Sequence, residues 1–271
     1  MAIQSMNIAS RCLGTNTNVT VILPNPPMGR SLKDFYTSGE KYKVLWLLHG
    51  GGGDATEWVR YSNIERYACD RNLVVVMPSA MGSAYSNWSA KEGCFIGFNM
   101  YDYLTEELMP LVYNWFPQVS DRREDNFISG FSMGGQGAMM YAVNHPELFG
   151  AAAILGVSAV NMHVPLDEIP LNPTGKKMLM ANERGELEEY LASYENVYDR
   201  FADLAKLDNP PRLLFGIGDM DISYEDWLKM RDYIRGLGLK ATFEIRKDYA
   251  HNYTFVDSYI QRVLDFFLES V

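Results

Sequence analysis

Short apolar runs without alternation recur along this chain, and they constrain its fold more than any other feature. Val44-Leu45-Trp46-Leu47-Leu48 and Leu73-Val74-Val75-Val76-Met77 contain no polar side chain apart from the Trp46 indole. A strand with one wet face alternates polar and apolar residues. A strand that does not alternate is buried on both faces, as in a parallel sheet covered by helices. Further strands are expected at Asn126–Ser129, Ala151–Leu155, Arg212–Gly216 and Ala241–Ile245. Helical patterns fill the spaces between runs: Trp58–Arg71, Met100–Trp115 with Tyr101, Leu104, Leu108 and Leu111 on one face, Gln136–Val143, and Phe255–Leu268. Two strands, Ile3–Ala9 and Val19–Leu23, come first, and a polar loop runs through Lys41. Strand and helix alternate throughout, which predicts one α/β domain over 1–271, a doubly wound and mostly parallel sheet.

One segment breaks the rhythm. Residues 159–209 are too long for a simple crossover, and Leu187, Tyr190, Leu191, Tyr194, Val197, Tyr198, Phe201 and Leu204 form one helical stripe. Two readings stand: a helix packed on the sheet, or a partial lid over a site.

Charge and cysteine usage remove several function classes. A net charge of −10 with scattered Lys and Arg argues against a nucleic-acid partner, which needs a basic surface to release counterions. Cys12, Cys69 and Cys94 are odd in number and lack metal-ligand spacing, which fits free thiols in a reducing compartment. No apolar run approaches the ~20 residues of a membrane span. The N-terminal MAIQSMNIAS has neither a basic n-region nor an apolar h-region. The expectation is a cytoplasmic protein with a small-molecule partner, and with no membrane or nucleic-acid partner.

The chemistry is signalled where the run Asn126–Ser129 enters Gly130-Phe131-Ser132-Met133-Gly134 and a helix follows at once. A G-x-S-x-G between strand and helix can hold its serine on a sharp turn with the hydroxyl exposed. The flanking glycines remove side chains that would collide at the bend. A serine hydroxyl is a poor nucleophile until a base lies within hydrogen-bond reach, oriented by a third group. Chain order is nucleophile, acid, histidine when the fold is of the α/β-hydrolase type. Of four histidines, His49 precedes the serine, His145 stands where the serine helix ends, and His163 lies in the long segment. Only His251, after the last strand, can return over the strand ends as base. The acid belongs just after Arg212–Gly216, where Asp219 and Asp221 both qualify and spacing does not separate them. One is expected to orient the imidazole, the other to stabilise the loop through free backbone N–H groups.

An acyl-transfer site also needs two N–H donors for the developing oxyanion. Met133, next to the serine at a helix start, supplies one. The glycine turn Gly50-Gly51-Gly52-Gly53 after His49 is the source of the second. No Lys-Ser/Thr follows that turn as in a phosphate loop, and no dinucleotide pattern continues into a helix. The chemistry needs neither metal nor organic cofactor.

From about Val44 onward the chain resembles the esterase D-like α/β-hydrolases. That group holds tributyrin esterase, S-formylglutathione hydrolase, feruloyl and acetylxylan esterases, and mycolyltransferases. The resemblance rests on Leu47-Leu48-His49-Gly50 with Trp58 downstream, Val75-Val76-Met77-Pro78, and Tyr103-Leu104-Thr105-Glu106-Glu107-Leu108. It continues in Gly130-Phe131-Ser132-Met133-Gly134-Gly135, His145-Pro146-Glu147-Leu148-Phe149 and the acid loop Asp221-Ile222-Ser223-Tyr224-Glu225-Asp226. Length and layout are similar to the tributyrin esterase branch. The resemblance implies a catalytic set of Ser132, Asp221 and His251, with oxyanion donors Gly51 and Met133. It thus assigns the acid to Asp221 and leaves Asp219 beside it. The turn lacks the Leu-Thr-Cys-like sequence of S-formylglutathione hydrolases, and Tyr253 stands where the family often has Trp. Hydrolysis of short-chain carboxylic esters is expected; the alternatives are a feruloyl or acetyl-sugar esterase, an S-formylglutathione-type thioesterase and, last, a non-catalytic binding module. The pocket is expected to draw on Gly52, Trp88 and Tyr253, on 159–209, and on the aromatics Tyr85, Phe95, Phe98, Tyr101 and Tyr103.

Overall fold

A computed structural model of the chain describes residues 2–26, 28–88, 97–164 and 187–269. Among these residues eight strands form one sheet: β1 (Ala2–Ser10), β2 (Thr15–Leu23), β3 (Val44–Leu48), β4 (Val74–Pro78), β7 (Asn126–Phe131), β8 (Ala151–Leu155), β9 (Arg212–Met220) and β10 (Ala241–Ala250). Their spatial order is β1-β2-β4-β3-β7-β8-β9-β10. Strand β2 runs antiparallel to both its neighbours, and every pairing from β4 to β10 is parallel. Each expected strand is present. The expected continuous burial is seen in β3, β4, β7 and β8, whose residues are all buried.

The sheet separates two apolar layers, and single strands feed both. Val44, Trp46 and Leu48 enter one layer with the serine helix Met133–Asn144, while Leu45 and Leu47 enter the other with Trp58 and the C-terminal helix Tyr253–Leu268. The start of β7 is fixed by a buried amide. Asn126 Oδ1 accepts from Trp46 Nε1 at 3.0 Å and from the Tyr113 hydroxyl at 2.7 Å. Its Nδ2 donates to Ser120 O and Arg122 O, both at 2.9 Å. Such a satisfied network specifies one arrangement, here the register that pairs Asn126 with Val44.

Several local expectations differ from what is found. The single helix expected over Trp58–Arg71 is two, Glu57–Tyr61 and Ile64–Cys69, because Ser62 and Asn63 turn the chain between them. A short helix, Leu32–Thr37, lies in the polar loop; Ser31 caps it, its side chain accepting from Asp34 N. Met100–Trp115 is helical, but it widens into a π-helical turn at Tyr103–Leu108, just before Pro110. Proline offers no N–H and crowds the carbonyl of the preceding turn, so a wider turn relieves the clash. A two-stranded ribbon, β5 (Asn87–Trp88) with β6 (Phe98–Asn99), carried no sequence signal.

The stripe expected over 187–204 divides as well. Leu187–Ala192 and Val197–Leu204 are separate helices around a turn in which Ser193 Oγ donates to Tyr190 O and accepts from Glu195 N. Val197, Phe201 and Leu204 are core residues in the layer of the serine helix. Tyr190 and Met162 form a small cluster of their own. Residues 165–186, the rest of the lid candidate, lie outside the described residues, as do Phe95 and Cys94. Among the described residues no helix is long and apolar enough to cross a membrane.

Candidate active site

Three groups from three strand ends meet at the carboxyl edge of the sheet. Ser132 follows β7 directly and precedes the helix Met133–Asn144, with φ 56° and ψ −119°. Such a conformation costs a non-glycine residue about 1–3 kcal/mol and persists only where its surroundings enforce it. Here they do. A Cβ at Gly130 would stand 2.2 Å from Gly134 O, and one at Gly134 would stand 2.2 Å from Leu48 O. Strand, helix and the end of β3 approach backbone to backbone, which is why the sequence reads G-x-S-x-G. The Ser132 N–H donates to Leu155 O at 2.9 Å, tying the bend to β8.

His251 follows β10 and stands before the Asn252 cap of the C-terminal helix. Its Nε2 is 2.9 Å from Ser132 Oγ and its Nδ1 is 2.7 Å from Asp221 Oδ2. A carboxylate only accepts, so Nδ1 carries the proton and Nε2 is left to accept from the serine hydroxyl. The Phe131 ring backs the imidazole at 4.6 Å. The Asp221 side chain is wholly buried, and its second oxygen accepts from Ser223 N at 2.8 Å. The neighbouring acid faces elsewhere. Asp219 Oδ1 accepts at 2.7 Å from the N–H of Asp248, which sits with φ 64° in the irregular part of β10. So the two acids that spacing left equal have separate partners: one meets the imidazole, the other the strand that delivers it.

Met133 is the first residue of its helix, where N–H groups have no intrahelical acceptor and the dipole favours negative charge. Gly51 is exposed in the turn after β3, and Gly52 beside it has φ 80°. Side chains hold that turn. His49 Nε2 accepts from Ala80 N at 2.8 Å, so Nδ1 bears the proton and donates to Gly50 O at 2.7 Å. Burial pushes the pKa of His49 below its ordinary value and keeps it in this neutral form. The Tyr85 hydroxyl donates to His49 O at 3.1 Å, and Trp58 Nε1 donates to Leu48 O at 2.9 Å. Tyr253 lies between Trp58, Tyr61 and Phe131, with its hydroxyl 3.5 Å from Gly50 N.

Sequence reasoning found the three meeting groups but assigned nothing to His49, whose only signal was its position at a buried strand end before four glycines. The aromatic pocket walls need correction. Tyr85 and Tyr103 are fully buried, and Tyr101 is stacked between Tyr141 and Tyr194 at 4.9 and 4.1 Å. They belong to the core because the wide helix turn and the loop before β5 point them inward. Trp88 and Phe98 are half-buried and pair across the ribbon, with Trp88 Nε1 donating to Ser83 O at 2.9 Å. A cavity of about 170 Å³, lined by Phe35, Tyr36, Tyr42, Val74 and Phe116 among others, lies at the opposite edge of the sheet and includes none of the meeting groups.

Known proteins share this layout. A solved S-formylglutathione hydrolase (FrmB) from Staphylococcus aureus is 30% identical and superposes with a TM-score of 0.80 over 99% of both chains. FphF, a fluorophosphonate-binding serine hydrolase of Staphylococcus aureus, is 29% identical with a TM-score of 0.78, again over 99% of both chains. A curated acetyl esterase from Caldicellulosiruptor saccharolyticus is 24% identical over 98% of this chain and 97% of its own. Residues 10–200 match the family described as "Putative esterase". With its mostly parallel sheet and a serine on the turn after β7, the chain belongs to this esterase family within the α/β hydrolases.

Proposed function

We propose that this protein is a serine carboxylesterase acting on short-chain acyl esters through an acyl-enzyme, with Ser132, His251 and Asp221 as its catalytic set. The observation that carries this reading is the unbroken relay from Asp221 Oδ2 through His251 to Ser132 Oγ, at 2.7 and 2.9 Å. Ser132 Oγ attacks the acyl carbon while His251 Nε2 takes its proton. Asp221 holds the imidazole in the required tautomer and stabilises the imidazolium that forms. The carbonyl oxygen, now negative, is received by the N–H groups of Met133 and Gly51. Collapse of the tetrahedral intermediate expels the alcohol, which takes the proton from His251. Water then enters by the same route in reverse, and the acid leaves. Gly52, Trp88 and Tyr253 are proposed to border the pocket, in one catalytic domain spanning 1–271. The described thiols Cys12 and Cys69 are free, in keeping with a cytoplasmic site of action.

The preference for short acyl groups draws support from the acetyl esterase among the relatives. A second reading, hydrolysis of S-formylglutathione, is favoured by the likeness to the Staphylococcus aureus hydrolase. The two share every step and differ in leaving group. A panel of nitrophenyl esters from acetyl to decanoyl, run beside S-formylglutathione, tests both. The expectation is that kcat/KM is highest from acetyl to butyryl and falls beyond about six acyl carbons. Rates that climb to decanoyl would show a wide apolar groove, since each methylene that fits one contributes up to ~0.8 kcal/mol. A value for the thioester that exceeds every oxygen ester would make the second reading the right one.

A further inference from the structure

Glu57 opens the short helix after the glycine turn, where a carboxylate could reach water freely. It does not. Its carboxylate lies on Gly53: a Cβ at Gly53 would stand 1.4 Å from Glu57 Oε2 and 2.3 Å from its Cδ. Oε2 is buried, 3.8 Å from His49 Nδ1, and has no hydrogen-bond partner among the described residues. Burial raises the Glu57 pKa, as does Asp54, while the Tyr253 hydroxyl and Arg60 oppose the rise. Burying a carboxylate with only the Tyr253 hydroxyl and Arg60 to offset the loss of water costs free energy, so the surroundings must fix it in place. Gly53 has no left-handed φ, so its backbone does not require glycine. The feature that excludes a side chain at 53 is the Glu57 carboxylate.

The contact reaches the backbone of the turn in two short steps. Gly53 N donates to Gly50 O at 3.2 Å, the same oxygen that accepts from His49 Nδ1. That bond closes the turn containing Gly51. We propose that Glu57 is a positioning residue for the oxyanion turn: its carboxylate, seated on Gly53 near His49 and Tyr253, sets the pitch of residues 50–53 and with it the aim of the Gly51 N–H. The inference rests on the reading of Ser132 and Gly51 given above.

The test is a cycle of Glu57→Ala, Gly53→Ala and the double variant, with Glu57→Gln as the shape-conserving control. Readouts are kcat and KM for nitrophenyl acetate, the Ki of an alkylboronic acid that mimics the tetrahedral intermediate, phosphonate labelling of Ser132, and thermal unfolding. A Cβ at 53 displaces the tip of a flexible side chain, so Gly53→Ala folds while evicting the carboxylate. Glu57→Ala and Gly53→Ala each lower kcat by about tenfold, less than the loss of a whole oxyanion donor. KM stays within about twofold, and boronate affinity falls by the same factor as kcat. The double variant is no worse than either single one, because both remove the same contact. Glu57→Gln recovers most of the loss. Additive losses, a loss confined to KM, or unchanged boronate affinity in a folded, labelled variant would overturn the proposal. Wild type that is not labelled at Ser132 would instead remove the catalytic reading beneath it.

Discussion

Two glycine-rich turns come together beside Ser132, where a Cβ on Gly50 would lie 3.5 Å from Phe131 O, and they are held in opposite ways. At Gly130–Gly134 the glycines are crowded by backbone, and a Cβ on Gly130 or Gly134 would fall 2.2 Å from a main-chain oxygen. At Gly50–Gly53 a Cβ on Gly51 or Gly52 would meet nothing within 4 Å. The first turn is fixed by main chain against main chain. The second takes its position from the side chains of His49, Tyr85, Trp58, Tyr253 and Glu57. Backbone contact resists change, whereas a side-chain cradle can be altered one residue at a time. On the proposed reading, the nucleophile stands on the part that cannot drift, and the adjustable part receives the substrate oxygen.

The largest effects should come from the rigid side. Ser132→Ala should lower ester hydrolysis by about 10⁴ or more with the fold intact, and a phosphonate that labels the wild type should no longer attach. Full activity in that variant would deny the turn its nucleophile. Asp221→Asn should cost about 10⁴ in kcat by spoiling the imidazole tautomer, whereas Asp219→Asn should cost less than about tenfold. A reversal would exchange the acids. Gly134→Ala forces a Cβ against two carbonyl oxygens and should cost ~3 kcal/mol by urea unfolding. Gly51→Ala keeps its N–H and meets open space, so it should stay within ~0.5 kcal/mol and about threefold of wild-type kcat. Equal sensitivity at the two positions would break the comparison.

The smallest effect is a pH dependence of the side-chain-held turn. His49 is buried and neutral, its pKa pushed below 6.5 by burial against opposing contributions from the Gly50 carbonyl and Asp54. The unfolded chain thus takes up a proton at 49 under conditions where the folded chain does not. The stability this neutral histidine contributes is full above 6.5 and is lost as pH falls through the window below that value. Unfolding free energy of the wild type should decline through that window, and His49→Gln should decline less. Equal slopes would show that residue 49 does not titrate there.

The sheet was legible in the sequence because burial on both faces leaves runs such as Val44–Leu48 no room for polar residues. Ser132 and His251 were legible because their chemistry imposes an order along the chain. Asp219 and Asp221 were not separable by spacing: both lie at the end of β9, and what divides them is a hydrogen bond to Asp248 of the neighbouring strand. The inward turn of Tyr85, Tyr101 and Tyr103 was hidden for a similar reason. An aromatic residue signals apolar contact but not which side of the backbone supplies it. The stripe from Leu187 to Leu204 kept helical spacing across a break that the local hydrogen bonds of Ser193 impose. Nothing at Glu57 distinguished it from any acid in the first turn of a helix.

The irregularity in β10 has a further consequence, for how copies of the chain avoid one another. Among the described residues β10 is the last strand of the sheet and pairs with no other strand on its outer side, which leaves amides and carbonyls open to any extended segment that passes. Asp219, by holding Asp248 at φ 64°, bends that edge where Arg246, Lys247 and Asp248 stand exposed. A bent, charged margin is a poor template for another strand. The kink that delivers His251 to the serine thus also discourages edge-to-edge aggregation, and loss of the Asp219 contact should be felt in solubility on storage at high concentration before it is felt in turnover.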